Sequence, residues 1–289
     1  MKAPKFWIIL FLLPTLFLFT LIYAIPIITV FVTSFTEWSG FNSPVYIGLT
    51  NYANLIQDRT FRIAIRNSIL WGLIAAFVHV PFGVAIALIL HRKPFGWRFT
   101  RSASMLPNLI PPAALALLYT FLFNPGIGLV NEFIRRIGFK DFTVHWFFQP
   151  STAFVAVTSV WVFYAGVIIL ITMAELSGIP ADLREAALID GASDNQVDRY
   201  IHLPLLKNII GVGILIAVTE VFKMFDYVFM TTGGGPDNQT MSLGLLIYNQ
   251  ATVRYRYGYA NTVGVILLLM GLIVFFLVSK AFGMTQTNG

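Results

Sequence analysis

Three ionisable residues, Glu220, Lys223 and Asp226, stand three apart inside an otherwise apolar run from Asn208 to Pro236. A charge at the centre of a bilayer costs at least about 2.5 to 3.5 kcal/mol, so the cluster needs a physical reason. On one continuous helix the three would share an arc of roughly 120°, letting Lys223 reach a carboxylate on either side. Two uses fit that arrangement. One is a self-neutralised group facing other helices; the other is the wet lining of a path, exchanging hydrogen bonds with ligand hydroxyls. Phe225 and Tyr227 sit beside the cluster, and Trp161 with Tyr164 offers a ring platform and a phenol, a pattern that ordinary packing also produces. Covalent chemistry finds no footing. There is no cysteine, and the four histidines at 79, 91, 145 and 202 lack metal-ligand spacing, so no catalytic group and no metal site is expected. His79, beside Pro81, reads as a satisfied interior histidine, while Asn124 and Asn131 read as turn or cap residues.

These groups have to be held by membrane spans. Of the 289 residues, 57% are hydrophobic and only 11% charged, where soluble domains carry roughly 25% charged residues. A net charge of +6 comes from basic residues scattered between apolar runs, not from a stripe that could follow a phosphate backbone. Nothing is charged between Lys5 and Glu37, Arg66 and Arg92, Arg101 and Glu132, Asp141 and Glu175, or Arg256 and Lys280. Each stretch exceeds the roughly 20 apolar residues that cross a bilayer, and none alternates as a barrel strand would. With the run holding Glu220 they predict an all-α polytopic membrane protein of one domain, residues 1–289, with six spans near 6–32, 67–90, 105–123, 151–174, 209–230 and 259–280. The first apolar run is too long for a signal-peptide core, so it is expected to stay attached. Lys and Arg number 10 on the side of the N-terminus and 8 opposite; the tight group Arg92, Lys93, Arg98 and Arg101 places its loop, and with it both termini, in the cytoplasm.

Between the fourth and fifth spans lies a polar stretch, Glu175 to Lys207. Pro180 suits the first turn of a helix and Gly191 the left-handed residue after its end. A second short helix opens at Ser193, which has capping-box spacing to Gln196, and is expected to stop before Pro204. Leu183, Ala186, Ala187 and Ile189 give the first helix a small apolar face suited to a partner's groove.

Glu185-Ala186-Ala187, Gly191, Ile201 and Leu203-Pro204 match the pattern EAA-x3-G-x9-I-x-LP, for which a chance match at a given start is roughly one in a hundred million. On these residues the chain resembles the permease subunits of binding-protein-dependent ABC importers. Thr232-Gly233-Gly234-Gly235-Pro236 followed by Thr240, and Gly48-Leu49 with Asn51-Tyr52, are similar to elements of the carbohydrate branch that includes the maltose-transporter permeases. The resemblance implies a coupling helix that docks on an ATPase, a second and non-identical permease subunit, two ATPase subunits that carry ATP and magnesium, and an external solute-binding protein. It also implies a bacterial or archaeal cytoplasmic membrane, a sugar or oligosaccharide as substrate, and alternating access as the mechanism. No phosphate-binding G-x-x-x-x-G-K-[ST] loop occurs, so this chain is expected to be no enzyme and to need no cofactor of its own. Glycerol phosphate or a polyol derivative is the alternative substrate within the family; an ion-coupled secondary transporter is a rival that would call for ionisable residues in a second span.

Overall fold

The computed structural model describes residues 5–284, so Lys2 of the basic start lies outside the described residues. Three helices are long and apolar enough to cross a bilayer without interruption: Ile9–Thr33, Arg59–His91 and Tyr257–Phe282. Three further pairs pass the same test as bent units: Trp97–Leu109 with Pro112–Leu122 at 99°, Gly166–Gly178 with Ala181–Ile189 at 75°, and Asp194–Leu205 with Lys207–Phe222 at 71°. The architecture is the expected all-α polytopic one. Its only sheet among the described residues is a two-stranded hairpin, Thr36–Glu37 against Val45–Tyr46.

Three of the expected spans are not continuous helices. The third, expected over 105–123, turns at Ile110, whose ψ of 129° is the extended value that a following proline imposes, here Pro111. In the fourth, expected over 151–174, a short helix Ala153–Ser159 gives way to turns before Gly166–Gly178 begins. The fifth, expected over 209–230, stops at Phe222 and resumes as Asp226–Thr231.

Several helices carry one wide, i→i+5 turn. Thr20–Ala24, Ala75–His79 and Asp198–His202 each end two residues before a proline, at Pro26, Pro81 and Pro204. A proline in an α-helix clashes with the carbonyl four residues back and donates no hydrogen bond; a wide turn draws that carbonyl away. This corrects the expectation that the helix opened by Ser193 stops before Pro204. It runs on to Leu205 because the wide turn absorbs the proline.

The chain groups into two compact units, Met1–Phe61 with Leu246–Leu269, and Arg62–Leu245 with Met270–Gly289. In the first, Asn51 donates to the carbonyls of Ser34 and Thr36 at 3.0 and 2.9 Å, and the Tyr52 hydroxyl meets Ser34 Oγ at 2.8 Å. Asn51 and Tyr52 thereby pin the segment that leads into the hairpin.

In the second unit the glycine run is a laced loop. Gly233 and Gly234 take φ of +60° and +90°, which L side chains rarely adopt. Thr240, fully buried, shares a hydrogen bond with Thr232 Oγ1 at 2.6 Å and donates to the Gly235 carbonyl at 2.7 Å. Asn67 of the second span fastens the far side, donating to the carbonyls of Gln239 and Met241 at 2.8 and 3.0 Å. Thr240→Val keeps the shape but strands the Gly235 carbonyl, a loss of about 1 to 3 kcal/mol, while the Thr232 hydroxyl keeps its bonds to the Val228 carbonyl and the Gly234 amide. The expected result is a lower thermal unfolding temperature of the purified protein with the helix content unchanged by circular dichroism.

Candidate functional site

The breaks in the third, fourth and fifth spans meet at one cavity of about 470 Å³, a size that suits a small organic ligand. Ile110 and Pro112 border it from the first break, Trp161 and Tyr164 from the second, and Lys223 to Tyr227 from the third. Irregular backbone at membrane depth is tolerated where it is buried in protein or lines a water-filled cavity, because lipid satisfies no amide or carbonyl. Side chains take over some of the lost bonds. His79 Nδ1 lies 2.8 Å from the Val162 carbonyl, and Ser242 Oγ donates to the Met224 carbonyl at 2.6 Å. His79 is thus the satisfied interior histidine its sequence context predicts, and it borders the cavity as well.

The charged trio differs from its expected form. Because the helix Lys207–Phe222 ends before Lys223, the three residues do not share one helical arc. Lys223 Nζ donates to Glu220 at 3.0 Å, and both side chains are more than half exposed, so their pairing is worth at most about 1 kcal/mol. Asp226 opens the next helix and takes no part in that pair; among the described residues its carboxylate has no hydrogen-bond partner. The cavity therefore keeps one free acidic acceptor beside one neutralised pair, with Tyr227 on the same wall.

Trp161 and Tyr164 line the cavity, but not as an open stacking platform on a helix. Trp161 is only 6% exposed, its ring centroid 5.9 Å from that of His79, and its Nε1 has no hydrogen-bond partner among the described residues. A buried donor left unpaired costs about 1 to 3 kcal/mol, which an acceptor entering the cavity would recover. The Tyr164 hydroxyl is held at 2.7 Å by that of Tyr119. Asn108, unremarked in the sequence because nothing distinguishes it from a helix-surface amide, also borders the space. Asn124 and Asn131 do what their types suggest: Asn124 Oδ1 accepts from the amides of Gly126 and Ile127, and Asn131 bridges the carbonyls of Pro125 and Val144.

The polar hairpin folds as its residues dictate. The helix Ala181–Ile189 carries Glu185, Ala186 and Ala187 in its middle, and Leu183 and Ile189 on it are exposed. Gly191 has φ of +85°; its amide bonds the Leu188 carbonyl at 3.1 Å and the Ala192 amide bonds that of Ala187 at 2.9 Å. Those two bonds make a Schellman motif, which closes the helix and turns the chain. Ser193 and Gln196 form the reciprocal capping box, with the Ser193 amide donating to Gln196 Oε1 at 2.7 Å. Ile201, Leu203 and Pro204 lie on the second limb, and Arg184 braces the two limbs through Asp194 at 2.9 Å. An exposed apolar knob on a rigid turn is a surface that can fit a partner's groove.

Residues 68–282 match the family model described as "Binding-protein-dependent transport system inner membrane component". The chain is 32% identical over 92% of its length, and 91% of the other's, to the multiple sugar-binding transport system permease protein MsmF of Streptococcus mutans serotype c. It is 31% identical over 86% of its length, and 75% of the other's, to the diacetylchitobiose uptake system permease protein NgcF of Streptomyces coelicolor. Its fold resembles, with a TM-score of 0.82 and 20% identity over 99% of this chain and 96% of the other, a chain of a bacterial alginate ABC transporter crystallised in complex with an alginate pentasaccharide-bound periplasmic protein. A family match over most of the chain, joined to the membrane-crossing helices and the EAA hairpin, identifies the protein as a member of the binding-protein-dependent transport system inner membrane components, the permeases of ABC importers.

Proposed function

We propose that the chain forms, with a second and non-identical permease subunit, the membrane path of an ATP-driven importer for a sugar or oligosaccharide. The observation that carries this reading is the convergence of three helix breaks on one cavity that holds a free carboxylate, an ion pair and an unpaired indole donor. Groups of that kind exchange hydrogen bonds with hydroxyls. The relatives named for multiple-sugar and diacetylchitobiose uptake point to the same substrate class. Glu220, Lys223, Asp226, Tyr227, Trp161 and Tyr164 would line the path. Charge favours neutral sugars, since Lys223 is the only Lys or Arg among the described residues on the cavity wall and is already paired to Glu220. Glycerol phosphate, the rival within the family, would require more cationic groups there.

Glu185, Ala186, Ala187, Gly191, Ile201, Leu203 and Pro204 would dock on an ATPase subunit. Two such subunits bind ATP and magnesium, and their closure moves the hairpin and opens the path toward an external binding protein. That places both termini and the loops at Arg92–Arg101 and Glu175–Lys207 in the cytoplasm, consistent with the basic residues they carry. The chemistry of this chain is conformational.

Gentle purification of the tagged chain from its native membrane, with mass spectrometry of what stays bound, tests the assembly. Recovery of an ATPase and a second EAA-bearing permease is the expected result, after which the complex is reconstituted with its binding protein and assayed for ATP-dependent sugar uptake that survives collapse of ion gradients. Transport by this chain alone without an ATPase would overturn the reading.

A further inference from the structure

We infer that Arg92 is a positioning residue that braces the coupling hairpin directly to the second span. It caps the helix Arg59–His91 and reaches across more than a hundred residues of sequence. One guanidinium nitrogen donates to Asn195 Oδ1 at 2.8 Å and to the Asp198 carboxylate. The other oxygen of that carboxylate accepts from His202 Nδ1 at 2.7 Å, and the His202 ring lies edge-on to His91 with centroids 5.5 Å apart. Asp198 and His202 are nearly buried, with side chains 12% and 4% exposed. A carboxylate so buried is satisfied by two donors from two elements, and removing Arg92 leaves its charge without a counterpart.

The brace matters because of how else the hairpin is attached. Its covalent links run through bends, 75° between Gly166–Gly178 and Ala181–Ile189, and 71° between Leu205 and Lys207. A bend can flex and absorb a push. The Arg92–Asp198–His202 chain instead fixes the second limb to the end of a continuous membrane helix, so displacement of the hairpin reaches the cavity wall at His79 along a rigid rod.

This inference rests on the coupling role proposed above, and its test separates the two. The complete transporter, with ATPase, partner permease and binding protein, is reconstituted in vesicles, and sugar moved per ATP hydrolysed is measured. No ATP-driven uptake by the wild type would fail the proposed function. Given wild-type uptake, Arg92→Ala is expected to lower the transport-to-hydrolysis ratio roughly tenfold while hydrolysis continues. Arg92→Lys should restore part of it, and the exchange Arg92→Asp with Asp198→Arg most of it. Because the chain has no cysteine, Phe95→Cys and Tyr200→Cys, both at exposed positions, can carry spin labels. Their separation should stay constant between nucleotide-free and ATP-trapped states in wild type and change between those states in the Arg92→Ala background. If Arg92→Ala prevents assembly, Arg92→Lys is measured in the same two ways. A wild-type ratio, or a label distance that behaves as in wild type, would overturn the brace.

Discussion

Replacing Gly191 with valine is expected to leave the transporter assembled and hydrolysing ATP while sugar uptake falls at least about tenfold. The residue holds φ of +85°. A β-branched side chain there is a conformational outlier, since L residues avoid the left-handed region by roughly 1 to 2 kcal/mol and branching adds to it. Among the described residues nothing lies within 4 Å of where a Cβ would stand, so the strain falls on the backbone of the turn and not on packing. Relief of that strain breaks the bonds from the amides of Gly191 and Ala192, which set the angle between the two limbs. Gly191→Asn, a residue that tolerates this region, should retain most uptake. Parallel assays of uptake and hydrolysis in proteoliposomes check the prediction, and normal transport by the valine variant would remove the coupling role assigned to the turn.

Asp226→Ala should cut uptake of a neutral sugar about ten- to a hundredfold, the equivalent of one hydrogen bond to a charged group at about 1.5 to 3 kcal/mol. Its carboxylate has no hydrogen-bond partner among the described residues, so removing it breaks no internal bond and should leave thermal stability near that of wild type. Glu220→Ala is the contrast, because it frees Lys223 and adds a positive charge to the wall. That variant should admit anionic sugars better than the wild type does. Uptake of labelled neutral and uronate oligosaccharides by the two variants reads both effects; unchanged uptake by Asp226→Ala would make the trio structural.

Much of this was legible in residue order. Long charge-free runs placed the membrane helices, because burial in lipid leaves few other options for a backbone. Gly191 and the Ser193–Gln196 pair announced the hairpin, since each depends on chemistry within a few residues. The breaks were harder to read. Apolar runs measure how much chain can sit in lipid, not whether it stays helical, so the bend that Pro111 imposes and the gap after Ser159 both fell inside stretches read as continuous spans. At the fifth span there was a local clue. Lys223 at the end of one helix and Asp226 in the first turn of the next are the signs that two helix dipoles favour. Read as one helix, the same residues suggested a self-neutralised stripe. The Arg92 brace was beyond reach, because Arg92 and Asp198 are brought together only by the tertiary fold.

The wide turns ahead of Pro26, Pro81 and Pro204 bear on how this chain can change length. Each holds one residue more than an α-turn needs, and a residue added to a regular helix swings all that follows by about 100°. Confined to a bulge, the surplus leaves the two flanking segments facing as they would without it. These three places are therefore where a single-residue deletion, made together with replacement of the adjacent proline, can be absorbed inside a helix. When this sequence is aligned with a shorter relative, a one-residue gap belongs there, in mid-helix, and not in the nearest loop.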